Sequence, residues 1–138
     1  MTNPVETILL VDDEATVRRF SSRVLEKHGF DVLMASSGRE ALEAAHDRDH
    51  AIDLLMTDVM MPGMNGCQLA EILLARVPSL RVLFMSGYAE DVLATNVGLV
   101  PGAAFLGKPF KPKTLVTKVR EVLDAPSGPA PLDGNPIS

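Results

Sequence analysis

The chain has little with which to build an extracellular scaffold, a membrane anchor or a nucleic-acid clamp. It holds one cysteine, Cys67, so no internal disulfide can form, and this fits a reducing compartment. No basic-then-apolar stretch opens the N-terminus, and no apolar run approaches membrane-spanning length. A cytoplasmic location without membrane contact is therefore expected. Positive charge is in deficit: 13 lysines and arginines stand against 18 aspartates and glutamates, a net charge of −5. There is no basic stripe, so direct nucleic-acid binding is not among the expected functions. No internal sequence repeat is present.

What is there reads as alternation. At 138 residues the chain can form one domain with a proper core. After a polar lead-in at residues 1–6, short apolar runs read as strands at Thr7–Val11, Phe30–Ala35, Ile52–Thr57, Arg81–Met85 and Ala103–Leu106. Helical spacing follows each run. The first helix begins at the acids Asp12, Asp13 and Glu14 and runs toward Gly29, with Val17, Phe20, Val24 and Leu25 as its apolar stripe. The second, Arg39 to Asp47, is capped by Ser36-Ser37-Gly38 and turns Ala41, Leu42 and Ala45 inward. The third, Cys67 to Arg76, turns in Leu69, Ile72 and Leu73, and Pro78 stops it. A short fourth, Ala89 to Asn96, is crowded by Gly98, Pro101 and Gly102. The last, Pro112 to Asp124, carries Leu115, Val119, Val122 and Leu123 on one face. Residues 7–124 form the expected domain, and residues 125–138, rich in Pro and Gly, a flexible tail. Five strand-then-helix units predict an α/β, flavodoxin-like, doubly wound five-stranded parallel sheet, order 2-1-3-4-5, with five helices.

One stretch organises this pattern: Leu54-Leu55-Met56-Thr57-Asp58, followed at once by the turn Val59-Met60-Met61-Pro62-Gly63-Met64-Asn65-Gly66. The run delivers a single carboxylate to the edge where doubly wound sheets bind ligands. Other strand ends bring Asp12 and Asp13, Ser86 and Lys108 to the same edge. Three close carboxylates push one another's pKa values up, and a divalent cation resolves the repulsion. All-oxygen ligation suits Mg²⁺. Metal, ammonium and hydroxyl together are what phosphoryl oxygens need, and Asp58 can then act as nucleophile, forming an acyl phosphate.

These residues carry a family resemblance. Leu10-Val11-Asp12-Asp13-Glu14, Thr57 to Gly66, Met85-Ser86-Gly87-Tyr88 and Leu106-Gly107-Lys108-Pro109-Phe110 resemble the receiver domains of two-component response regulators, from about Thr7 to Asp124. The run Val82 to Ala89 is similar to receivers of hybrid sensor histidine kinases. The resemblance implies a phosphorylation-dependent signalling switch, not an enzyme turning over external substrate. Asp58 is then the phosphoacceptor, Ser86 the switch hydroxyl, Lys108 the phosphate-binding lysine and Phe105 the switch aromatic. Mg²⁺ (or Mn²⁺) is held by Asp12, Asp13, Asp58 and the Met60 carbonyl. The Lys108–Pro109 peptide is expected to be cis. The implied partner is a sensor histidine kinase or a histidine phosphotransfer protein. Met60 and Tyr88, two residues after Asp58 and Ser86, offer no group to orient water, so the phosphorylated state should not be unusually short-lived.

Rival readings are weaker. Asp12, Asp13 and Glu14 also suit a plain helix start, Ser86 a plain turn and Lys108 a solvated surface. His46 and His50 are four apart but lack a third ligand, and His28 stands alone. Cys67 and the methionines Met56, Met60, Met61, Met64 and Met85 read as packing residues. An aspartyl phosphohydrolase would need an acid at Met60. A flavin mononucleotide carrier would need a hydroxyl- and glycine-rich loop where Asp12-Asp13-Glu14 stands. A phosphorylation-independent docking module of the same fold is the remaining alternative. The stretch after Asp124 is too short and Pro-rich for a helix-turn-helix, so output is expected to run through a protein partner.

Overall fold

The structure, a computed structural model, describes residues 5–46, 51–87, 100 and 102–125. Its elements are β1 (Thr7–Val11), α1 (Ala15–Lys27), β2 (Asp31–Ala35), α2 (Gly38–His46), β3 (Leu54–Asp58), α3 (Gly66–Arg76), β4 (Arg81–Ser86), β5 (Ala104–Gly107) and α4 (Pro112–Asp124). The five strands are all parallel, in the order β2-β1-β3-β4-β5. The expected sheet is therefore present. The expected count of five helices is corrected to four among the described residues. The segment Ala89 to Asn96, expected as a helix, lies outside them. That expectation rested on eight residues running into Gly98, Pro101 and Gly102.

Strand period sorts the core into two layers. Leu9, Val11, Leu55, Val59 and Phe84 face one way and pack on Ala41 and Ala45 of α2 and Leu69 and Leu73 of α3. Ile8, Leu10, Leu54, Met56, Leu83 and Met85 face the other way and meet Leu25 of α1 and Leu115, Val119, Val122 and Leu123 of α4. Burial on both faces explains why Ile8–Val11 in β1 and Leu54–Met56 in β3 are apolar at every position. In α4 five of thirteen residues are β-branched, which costs a few tenths of a kcal/mol each. Four buried aliphatic side chains at roughly 2 kcal/mol apiece outweigh that cost.

Local signals set the helix ends. Asn65 and Gln68 form a reciprocal capping box at the start of α3. Ser37 Oγ accepts from the Glu40 amide at 3.1 Å, and the Glu40 carboxylate accepts from the Ser36 amide at 2.9 Å. Pro112 starts α4, where its missing N–H costs nothing. Gly29, at φ 92°, ends α1.

Two apolar stripes differ from expectation. Phe20 and Ile72 are each 37% exposed, while Ser21 and Ser22 are buried on the sheet side of α1. Small hydroxyl residues let α1 sit close to the sheet. Phe20 instead meets Phe110, from the loop before α4, with ring centroids 6.1 Å apart.

Candidate functional site

Parallel register brings every strand's C-terminal end to one edge. Backbone pairing continues past the strands there: the Asp12 amide donates to the Ala35 carbonyl, Val59 to Met85 and Lys108 to Ser86, at 3.2, 3.0 and 2.9 Å. The residues carrying the chemistry thus grow from hydrogen-bonded backbone. The Lys108–Pro109 peptide is cis, as expected.

Asp12, Asp13 and Asp58 stand together, each with an oxygen within 4.8 Å of the others, a grouping that could hold a metal ion. Asp12 is fully buried, Asp58 nearly so, and Asp13 is exposed. The Lys108 ammonium reaches over them, 2.8 Å from Asp12 Oδ2, 3.4 Å from Asp58 Oδ2 and 3.3 Å from Glu14 Oε1. Asp12 Oδ1 accepts from the Glu14 amide at 2.9 Å, and the Asp12 carbonyl accepts from the Arg18 guanidinium at 2.6 Å. Asp12 Oδ2 is buried without a well-aligned hydrogen bond.

The electrostatics follow from burial and charge. Burial pushes the Asp58 carboxyl up to about 6. The nearby Lys108 ammonium opposes this, and the charges of Asp12 and Asp13 add to it. Burial also works against the Lys108 ammonium, yet Asp12, Asp58 and Glu14 outweigh it and hold its pKa above the ordinary lysine value. One ammonium cannot neutralise this many carboxylates. The all-oxygen donor set, with more carboxylate charge than one ammonium balances, fits a hard divalent cation.

The loop after β3 is built for close approach. The Gly66 amide donates to the Val59 carbonyl at 2.9 Å, and any Cβ at Gly66 would run into the Asp58 carbonyl oxygen. The Thr57 hydroxyl donates to that same carbonyl at 3.0 Å. Gly66 therefore lets the α3 start seat against the backbone of Asp58.

The other expected residues fall around this centre. Ser86 ends β4, partly buried, with its carbonyl bonded to Lys108. Phe105 is 40% exposed on β5, with its ring 5.7 Å from that of Phe84. Met60 leaves its side chain half exposed beside the site, whereas Met56, Met61 and Met85 are buried packing residues. Tyr88 and His50 lie outside the described residues. His46 is exposed, and the His28 ring bonds the Val24 carbonyl. Sequence reasoning missed Arg18. Its signal was there, because a cation in the first turns of a helix opposes the helix dipole and needs a local reason.

A groove of about 660 Å³ opens beside Lys108, lined chiefly by Val17, Phe20, Pro109 and Phe110. No helix among the described residues is long and apolar enough to cross a membrane.

A parallel sheet of this order, with an acid cluster and a bridging lysine at its C-terminal edge, defines a class of phosphoryl-handling switch domains. The chain belongs to the response regulator receiver domain family, whose match spans residues 8–120. It is 33% identical over 121 residues to the response regulator receiver protein CpdR of Brucella abortus, covering 88% of this chain and 99% of that protein. It is 42% identical over 118 residues to the sensor kinase CckA of the same organism, covering 86% of this chain but 12% of that kinase. The crystal structure of the receiver domain from hybrid histidine kinase CckA matches with a TM-score of 0.73 at 37% identity, covering 86% of this chain and 99% of that one. Receiver domains serve phosphorylation-dependent two-component signalling, and they act as switches, not as enzymes turning over an external substrate.

Proposed function

We propose that Asp58 is the phosphoacceptor of this switch and that Asp12, Asp13, Asp58 and the Met60 carbonyl hold Mg²⁺ or Mn²⁺. The observation that carries this is the Lys108 ammonium, poised between Asp12 and Asp58 at 2.8 and 3.4 Å over three clustered acids. When bound, the cation neutralises charge on the acids and on phosphoryl oxygens. An Asp58 oxygen attacks the phosphorus of a partner's phosphohistidine. The P–N bond breaks, its electron pair stays on the imidazole, and that ring takes up a proton. Lys108 then binds a phosphoryl oxygen, and Ser86 offers its hydroxyl to another.

The phosphoryl donor is a sensor histidine kinase or a histidine phosphotransfer protein. Similarity to the receiver of a hybrid kinase supports that class of partner. The groove along Val17, Phe20 and Phe110 supplies an apolar surface beside Lys108 for the segment carrying the donor histidine. On phosphorylation Ser86 moves inward and Phe105 follows. Partly exposed and tilted against Phe84, Phe105 can change the surface formed by β5 and α4.

The test is incubation with a small phosphodonor and Mg²⁺, read by intact mass. One phosphoryl group should be gained, and the gain should vanish without metal and in Asp58→Ala. A protein that docks its partner equally well without any such gain would be a phosphorylation-independent module instead. Lys108→Ala should still take phosphate but lose the shift at Phe105. A normal response of that variant to a stable phosphate mimic would remove the role assigned to Lys108.

A further inference from the structure

Glu14 occupies the N-cap position of α1, yet its side chain makes no capping hydrogen bond. Short side chains such as Asp or Ser at that position ordinarily accept from the amides of the first turn, and the longer glutamate is free to reach elsewhere. Here the carboxylate turns the other way, and Oε1 reaches the Lys108 ammonium at 3.3 Å. The backbone of Glu14 is fixed on both sides, its amide donating to Asp12 Oδ1 and its carbonyl accepting from the Arg18 amide. The carboxylate thus leaves from an anchored point. It is not one of the three clustered acids that could share a metal ion.

An ammonium has three N–H donors, and three carboxylates surround this one, from Asp12, Glu14 and Asp58. A phosphoryl group on Asp58 must take one of those donors. A cation on the acid cluster competes with Lys108 for Asp12 and Asp58. Glu14 is the carboxylate outside that cluster, so its hold on Lys108 survives metal binding.

We propose that Glu14 is a positioning residue that retains Lys108 in the resting state and competes with the incoming phosphoryl group for its ammonium. It thereby sets how readily the unphosphorylated protein accepts phosphate. The proposal rests on the reading of Asp58 as phosphoacceptor and Lys108 as its phosphate-binding partner. It is specific to distance as well as charge, because a shortened acid at position 14 would leave Lys108 while keeping the negative charge.

The experiment measures the initial rate of phosphorylation by acetyl phosphate at saturating Mg²⁺. It compares the wild-type protein, Glu14→Gln and Glu14→Asp, with each substitution repeated in a Lys108→Ala background. Both substitutions should raise the rate, by about twofold to fivefold given the partly exposed pair, and neither should change it when Lys108 is absent. Three outcomes would overturn the proposal: an unchanged rate in Glu14→Gln, a wild-type rate in Glu14→Asp, or an equal gain with and without Lys108. The last two would leave simple charge repulsion of the donor as the cause. A wild-type protein that takes no phosphate at all would instead remove the underlying reading of Asp58, and this proposal with it.

Discussion

At the scale of single residues, Asp58 carries a proton problem that a bound cation would solve. Its carboxyl sits near 6 in the folded, metal-free protein, against an ordinary value of 3.8. A carboxyl raised on folding favours the folded state at low pH, and that contribution is lost as pH rises through about 6. At neutral pH the ionised, buried Asp58 therefore costs stability, at most about 3 kcal/mol for two pKa units. Asp58→Asn should melt at a higher temperature than the wild-type protein in chelator at neutral pH. The advantage should fade toward about pH 4, which thermal melts across that range would show. Metal binding needs the ionised form, so Mg²⁺ affinity should fall by up to about tenfold per pH unit below about pH 6. Calorimetric titration at neutral pH and near pH 5 checks this, and equal affinities would exclude Asp58 as a ligand. Gly66 poses a different problem. Gly66→Ala must push the start of α3 off the Asp58 carbonyl, at a cost of about 2 kcal/mol or more, and should slow phosphorylation as Asp58 moves.

At the scale of elements, the readable parts of the sequence were those with one dominant cause. The bounds of β1 and α4 came out as expected, because an unbroken apolar run and a proline-started amphipathic stretch leave little choice. At β3 the run starts at Leu54 and not at Ile52, and it includes Asp58. Ile52 is apolar because it is buried in the core layer shared with Ala45 of α2 and Leu73 of α3, a cause that composition cannot separate from strand pairing. In α1 the expected stripe missed Ser21 and Ser22, since burial there is set by how close the helix lies and not by hydrophobicity. Ser21 pays no visible dividend for that position: its hydroxyl is buried with no hydrogen-bond partner among the described residues. Ser21→Ala should raise stability by about 1 kcal/mol, from the lost desolvation cost and better helix propensity. A destabilised variant in urea unfolding would mean that the hydroxyl has found a partner. The acid cluster and Lys108 were legible because strand ends in a parallel sheet must converge. Glu14 as a Lys108 partner was not, since a cap position ordinarily uses its side chain locally.

At the scale of the whole molecule, the two layers are joined around a sheet whose functional edge is also hydrogen-bonded edge. Arg120 closes the opposite side. It bridges Glu6 and Asp124 at 2.9 and 3.1 Å and lies over the Phe30 ring, tying α4 to the chain's start and to the corner before β2. The amides of Asp12, Val59 and Lys108 are held by neighbouring chain, not by solvent. In hydrogen exchange they should resist deuterium nearly as long as the mid-strand amides of β1 and β3, with or without phosphate. Fast exchange at those three amides would mean that the edge itself opens. Among the described residues, a frame that stays shut leaves information a route out through side chains turning on fixed stems. The protein would then report its chemical state as a mechanical dial does, with a moving pointer on a stationary face.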